Sequence, residues 1–461
     1  MKKLLLILVA LFSFATAEAQ EQKDIEQANS YAGIADKFYQ AGDYDSALEY
    51  DFKALAIREK VLGTEHPDTA TSYNNIGLVY KKQSYYNKAL EYYFKALAIC
   101  EKVLGTEHPD TATSYNNIGA VYHNQSDYDK ALEYYFKALA IREKVLGTEH
   151  PDTAQSYNNI GGVYNDQGYY DKALEYFFKA LTIQEKVLGT EHPDTAGSYN
   201  NIGAVYRAQG EYDKALEYYF KALAIFEKVL GTEHPATVTS YNNIGVVYDN
   251  QGDYDKALEY HFKALAISEK ALGTEHPNTA MSYNNIGGVY DSKGDYDKAL
   301  EYYFKALAIS EKALGTEHPD TATSYNGIGT VYYNQGEYDK ALEYYFKALA
   351  IREKVLGTEH PDTAQSYNNI GAVYRAQGGY DKALEYYFKA LVICEKVLGT
   401  EHPNTATSYN NIGYVYKNQG EYDKALVYYF KALAIREKVL GTEHPNTQLT
   451  RDNIAAVKAN M

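Results

Sequence analysis

Ten histidines stand at intervals of 42 residues: His66, His108, His150, His192, His234, His276, His318, His360, His402 and His444, each inside the string Glu-His-Pro. Histidine is the commonest metal ligand and titrates near neutral pH, so a regular column of it is the first chemistry to weigh. A zinc site needs ligands converging at about 2 Å on one ion. Equivalent points in adjacent helical repeats lie roughly 10 Å or more apart. The consecutive Glu-His pair is also not the H-E-x-x-H arrangement of a hydrolytic zinc helix. The histidines therefore read as capping or packing residues at a helix entrance, and no metal site is expected. No Gly-x-Ser-x-Gly elbow, phosphate-binding loop or Cys-x-x-Cys pair is present. A repeated surface does not gather unlike groups once, as catalysis requires. Neither enzymatic activity nor a cofactor is expected.

Two cysteines, Cys100 and Cys394, share one register of the repeat, seven periods apart. Other copies place Arg58, Arg142, Gln184, Phe226, Ser268, Ser310, Arg352 and Arg436 in that slot. Such tolerance predicts a position at least partly exposed. A disulfide needs Cα atoms within about 7 Å, so no internal bridge is expected.

The elements that position these groups follow from one unit, Pro109 to His150. Pro109 opens a helix, where its missing N–H is not needed, and Asp110 and Thr111 add polarity to the first turn. Ala112, Tyr115, Ile118, Gly119, Val121 and Tyr122 recur at three- and four-residue spacing and form one apolar face. Gly119 inside the helix should cost about 1 kcal/mol relative to Ala, which predicts close packing against another backbone. Most copies carry Gly where this helix ends, as at Gly168 and Gly210, to supply a left-handed residue. The second helix holds Ala131, Leu132, Tyr134, Tyr135, Phe136, Ala138, Leu139, Ile141, Val145 and Leu146, and Gly147 terminates it. The expected unit is a helix of about sixteen residues, a turn of about three and a helix of about eighteen. One pair cannot bury both faces, but a stack can. The 51 tyrosines are expected mostly to fill the seams between helices.

The two ends depart from the pattern. Lys2 and Lys3, the apolar run Leu4–Phe14 and Ala17-Glu18-Ala19 have the form of a signal peptide, with cleavage expected after Ala19. That predicts a periplasmic or secreted protein with no stable membrane insertion after cleavage. Residues 20–29 are expected to be a lead-in or the start of the first helix, 30–445 ten units, and 446–461 a capping helix. In the first unit Ala35 replaces the packing Gly, Phe38 the Tyr and Asp51 the aromatic of the second helix, as suits a terminal repeat. The net charge is −16, with basic residues interspersed among acidic ones. Nucleic acid is therefore not expected as a partner, and a soluble monomer is favoured.

The positions Ile118, Gly119, Tyr122, Ala131, Tyr135 and Ala138 resemble the tetratricopeptide pattern. That family's usual period is about 34, and here each unit has eight more residues, mostly Glu-Lys-Val-Leu-Gly-Thr-Glu-His. Tyr-Asn-Asn-Ile-Gly together with the Ala-Leu-Ala-Ile-Arg-Glu-Lys string resembles the long-repeat subclass of kinesin light chains and their bacterial relatives. The resemblance covers about residues 30 to 461 and implies an all-α fold, a superhelical solenoid whose first helices line a concave groove that binds extended peptides or proteins. On this chain the groove-facing asparagines become Asn74, Asn116, Asn158, Asn200, Asn242, Asn284, Asn326, Asn368 and Asn410. Their amides could pair with an extended backbone without demanding a sequence. A second column, Asn75, Asn117, Asn159, Asn201, Asn243, Asn285, Asn369 and Asn411, is broken by Gly327 and is expected instead to bond helix backbone. Specificity is expected from residues that vary among copies: Lys81, His123, Arg207, Asp249, Asp291, Tyr333, Arg375 and Lys417. Their charge runs basic, acidic around Asp249 and Asp291, then basic again. The function expected is a peptide- or protein-binding scaffold; the alternative is a structural spacer or self-assembling element without a discrete ligand.

Overall fold

The computed structural model describes the backbone of residues 2–461 and the side chains of residues 18–461, so the expected signal segment falls almost wholly outside the described side chains. Among the described residues there are helices and no strand. None of these helices is long and apolar enough to cross a membrane. The chain divides into two compact units, Met1–Val121 and Tyr122–Met461, and each is described by itself.

The repeat is built from its caps inward. All ten histidines are helix N-caps: Nδ1 accepts the backbone N–H two residues on, at 3.0–3.1 Å. Proline follows at the first helical position, as in Pro151–Asp166. The threonine two residues further is buried, and Thr153 Oγ donates to the Gly147 carbonyl at 2.9 Å. That bond ties the new helix to the linker before it. Gly147 itself stands at φ +96°, a backbone conformation that a side chain would strain. Most first helices run sixteen residues and most second helices eighteen, as in Pro193–Ala208 and Tyr212–Val229. Residues 20–29 are helical, within Lys2–Gln40.

In unit Met1–Val121 the atypical first repeat buries Ala35 and Asp51, and Phe38 stacks on Tyr50 at 5.6 Å. Burial pushes the Asp51 carboxyl up to about 7, against the pull of Arg58. In unit Tyr122–Met461 helix pairs stack in chain order, and Pro445–Lys458 closes the end by packing Ile454 and Val457 on Ala425 and Tyr429. Tyrosines fill the seams as a ladder. Tyr164 stacks on Tyr176 at 5.6 Å, Tyr157 meets the same ring at 6.0 Å, and the Tyr157 hydroxyl donates to Glu143 at 2.6 Å.

Two expectations need correction. The glycine inside the first helix does not face another backbone. A Cβ on Gly161 would lie 2.7 Å from the Phe177 ring, and one on Gly203 would lie 2.9 Å from the Tyr219 ring. An aromatic of the repeat's own second helix takes the space. The slot shared by the cysteines is buried in all ten copies, not partly exposed. Its tolerance comes from an adjustable polar partner, the residue fourteen positions on. Arg142 donates to Ser156 Oγ and to the Asp152 carbonyl, both at 2.9 Å. In other copies Ser198 donates to Gln184, and Ser408 lies 3.9 Å from the Cys394 sulfur. A buried guanidinium is tolerated where its N–H groups find acceptors. Both cysteines are unbridged.

Candidate functional site

Within unit Tyr122–Met461, first helices of successive repeats approach one another more closely than second helices do. The first helices therefore line the inside of the curvature. Their asparagines, paired in most of these helices, sit in mid-helix there, mostly half-buried.

The two columns do different things. Much of the first column braces the next repeat. Asn158 and Ser198 exchange hydrogen bonds at 2.9 and 3.1 Å, as do Asn200 and Ser240 at 3.1 and 3.3 Å. Ser324 donates to Asn284 at 3.0 Å, and Asn368 reaches Ser408 at 3.4 Å. Asn242 instead holds His261 Nδ1 at 3.0 Å. Asn326 and Asn410 accept from Asn369 and Asn453, at 2.8 and 3.3 Å. Asn74 and Asn116 lie half-buried in the other unit, and Asn74 Oδ1 is buried without a partner. In the second column, Asn201, Asn243, Asn285 and Asn411 take part in none of these bonds.

The varying residues largely pair with one another between consecutive repeats. His123 meets Asp166 at 2.8 Å, and Asn334 donates to both Asp291 oxygens at 3.0 and 3.1 Å. Arg375 donates to the Tyr333 hydroxyl at 3.3 Å and lies 4.7 Å from the Tyr414 ring centre, which Lys417 also faces at 5.5 Å. Arg207 stands within electrostatic reach of Tyr170 and Tyr219. Lys81, in the other unit, has its pKa lowered by burial and by Lys82.

Two cavities open on this face. One of about 430 Å³ is lined by Gln365, Asn368, Asn369, Arg375, Tyr387 and Asn411 among others. The Tyr387 hydroxyl and Asn368 Oδ1 are buried there without a hydrogen-bond partner. The other, of about 300 Å³, is lined by Asp249, His261, Asn284, Asn285, Tyr303 and Gly327 among others. Burial raises the carboxyl pKa of both Asp249 and Asp291. Gly327 has a structural cause, since a Cβ there would lie 2.3 Å from the Tyr303 ring. Among the described residues no group of three or more His, Cys, Asp or Glu side chains could hold a metal ion.

A family model described as Tetratricopeptide repeat matches ten overlapping segments that run from residue 24 to residue 459. The chain belongs to the tetratricopeptide repeat family. No curated protein matches it. Among solved structures, a Podosopora anserina protein of nearly identical TPR-like repeats, titled a kinesin light chain, is 28% identical over 45% of this chain and 98% of its own, with a TM-score of 0.37. BtubC (BKLC) from P. vanneervenii is 25% identical over 52% of this chain and 93% of its own, with a TM-score of 0.39. A Rap protein complexed with Competence and Sporulation Factor shares the fold at a TM-score of 0.53, with 17% identity over 90% of this chain and 99% of its own.

Sequence reasoning about this tetratricopeptide repeat protein missed the tyrosine hydroxyls of the inner face. Tyr219, Tyr387 and Tyr429 are fully buried, yet their hydroxyls lack partners. The available signal was phenylalanine at the same register, Phe177, which shows that the hydroxyl is not needed for packing.

Proposed function

We propose that this protein is a non-enzymatic scaffold of the long-repeat, kinesin-light-chain-like kind, acting in the periplasm or outside the cell. It holds an extended segment of a partner protein along the inner face of unit Tyr122–Met461. One observation carries this reading: the inner-face cavities combine unbonded amides, Asn285 and Asn411, with buried polar atoms the fold leaves unsatisfied, Asn368 Oδ1, Asp249 Oδ1 and the Tyr387 hydroxyl. An unpaired buried polar atom costs about 1–3 kcal/mol, and a bound backbone offers the missing donors and acceptors.

Selection of a random dodecapeptide library on the purified protein tests this. Selected peptides should bind saturably, and Asn285→Ala with Asn411→Ala should weaken them at least about tenfold, two hydrogen bonds being worth about 1 kcal/mol each. Neither amide braces the fold, so the double variant should unfold at the wild-type midpoint. Unchanged affinity in a folded double variant would favour a spacer.

A further inference from the structure

Unit Tyr122–Met461 coils far enough to meet itself, and histidines stand at three of the points of contact. His360 Nε2 lies 3.2 Å from Ser126 Oγ and 3.3 Å from the Asn124 carbonyl, across 234 residues or about five and a half repeats. The same offset brings His402 to Gly168 and His444 to Gly210. A Cβ on Gly168 would lie 3.0 Å from the His402 ring, and one on Gly210 would lie 2.7 Å from that of His444. The His360 side chain is only 9% exposed, whereas those of His150 and His192, which cap equivalent helices, are 39% exposed.

Each of these imidazoles already uses Nδ1. It accepts the N–H of Asp362, Asn404 or Asn446 at 3.0–3.1 Å as the helix cap. The ring proton therefore sits on Nε2, from which His360 donates to the Asn124 carbonyl and His402 to the Asp166 backbone. A second proton could go only on Nδ1, where it would face a backbone N–H and destroy the cap. The surrounding charges are of both signs and do not remove that conflict: Asp171, Lys172, Glu211, Glu401 and Lys438 line the cavity at the seam. Asp362 faces His360 at 3.8 Å and Asp166 faces His402, both favouring a proton. Arg352 opposes it at His360, and Arg436 opposes it at His444. The Tyr128 hydroxyl, bonded to Ser126, adds no charge near neutral pH.

We propose that this seam is an acid-sensitive clasp: protonation of His360, His402 and His444 parts the turns of the superhelix and opens its inner face. Burial holds the His402 imidazole down to about 4 and keeps those of His360 and His444 below the usual value. A parted seam exposes the rings to water and removes that burial, so they rise toward the ordinary value of about 6.5, while the Nδ1 cap opposes the proton equally in both forms. The closed form is therefore fully favoured above about pH 6.5 and loses ground as the pH falls toward 4. Each histidine shifts the closed-to-open ratio by at most about tenfold per pH unit, and three together by at most about a thousandfold.

Small-angle X-ray scattering of the full chain between pH 7.5 and 5, with far-UV circular dichroism alongside, tests the clasp. The radius of gyration should rise on acidification while helicity holds. Asparagine caps a helix as well but is too short to bridge the seam. His360→Asn, His402→Asn and His444→Asn together should thus be expanded at pH 7.5 and insensitive to acid. The control His150→Asn, His192→Asn and His234→Asn should keep the wild-type response. Should the seam triple fail to fold, Gly168→Ala, which pushes a methyl into the His402 ring, should expand the molecule at pH 7.5, whereas Gly252→Ala, at a similar positive φ with nothing within 4 Å, should not. A wild-type radius that stays constant to pH 5, an acid response retained in the seam triple, or a Gly168→Ala protein as compact as wild type would each overturn the proposal.

Discussion

Gly203→Ala should destabilise the protein by about 2 kcal/mol, whereas Gly197→Ala, six residues earlier on the same helix, should stabilise it by about 0.5–1 kcal/mol. Both glycines lie inside Pro193–Ala208, so both substitutions gain the same helix propensity. They differ in what a methyl would meet. At Gly197 nothing lies within 4 Å, and other copies carry Thr, Gln or Met in that register. At Gly203 a Cβ would lie 2.9 Å from two carbons of the Tyr219 ring. That ring is fully buried between helices and has no room to swing away. Overpacking of this kind costs about 1–3 kcal/mol and outweighs the propensity gain. Urea unfolding of the two variants measures the pair. Equal effects would mean that the inner-helix glycines are not packing residues.

Stability should also fall on acidification, and one residue should account for about 2 kcal/mol of the loss between pH 7.5 and 5. His261 occupies the register that Tyr219 and Tyr303 fill in neighbouring repeats. It is 1% exposed, and burial pushes its pKa down to about 4. Its Nδ1 meets Asn242 Oδ1 at 3.0 Å, which suits the neutral ring as donor. The unfolded chain takes up a proton near pH 6.5, while the folded chain resists until about pH 4. Between those values the unfolded state binds more protons, so stability is complete above about 6.5 and declines below it. His261→Tyr removes this linkage and restores the packing found elsewhere in the array. Urea midpoints at pH 7.5 and 5 should show a loss about 2 kcal/mol smaller in the variant. Identical losses would show that His261 is not held neutral.

The repeat was legible because its signals are local. His before Pro at a helix entrance is a cap within a few residues of chain, and apolar spacing of three and four gives both helices directly. Long-range partners were not legible in this way. The polarity of Arg142 suggested exposure, yet the groups that satisfy it stand ten and fourteen residues on. The first asparagine column pointed to a ligand, yet Asn158 and Asn200 are bonded to serines forty residues away, one repeat further along. Gly327 broke the second column for no reason visible in its own repeat, but the Tyr303 ring of the preceding repeat occupies the place of its side chain. The seam at His360 lies further still from sequence reasoning. Its offset of 234 residues is set by superhelical pitch, the sum of many small rotations between repeats, none of which is written in one unit.

These findings move the centre of the candidate site. The residues chosen for varying among copies are largely paired across repeats, as His123 is with Asp166, so part of their variation specifies neighbours and not ligands. What remains open for a ligand is the unbonded amides of the second column and the unsatisfied atoms around the two cavities.

Site-specific photocrosslinking with a selected peptide tests the groove most directly. A p-benzoylphenylalanine placed at Asn285 or Asn411 on the inner face should capture the peptide. The same group at Phe178, which is 36% exposed on a second helix, should not. Adducts confined to Phe178, with none at Asn285 or Asn411, would contradict the groove.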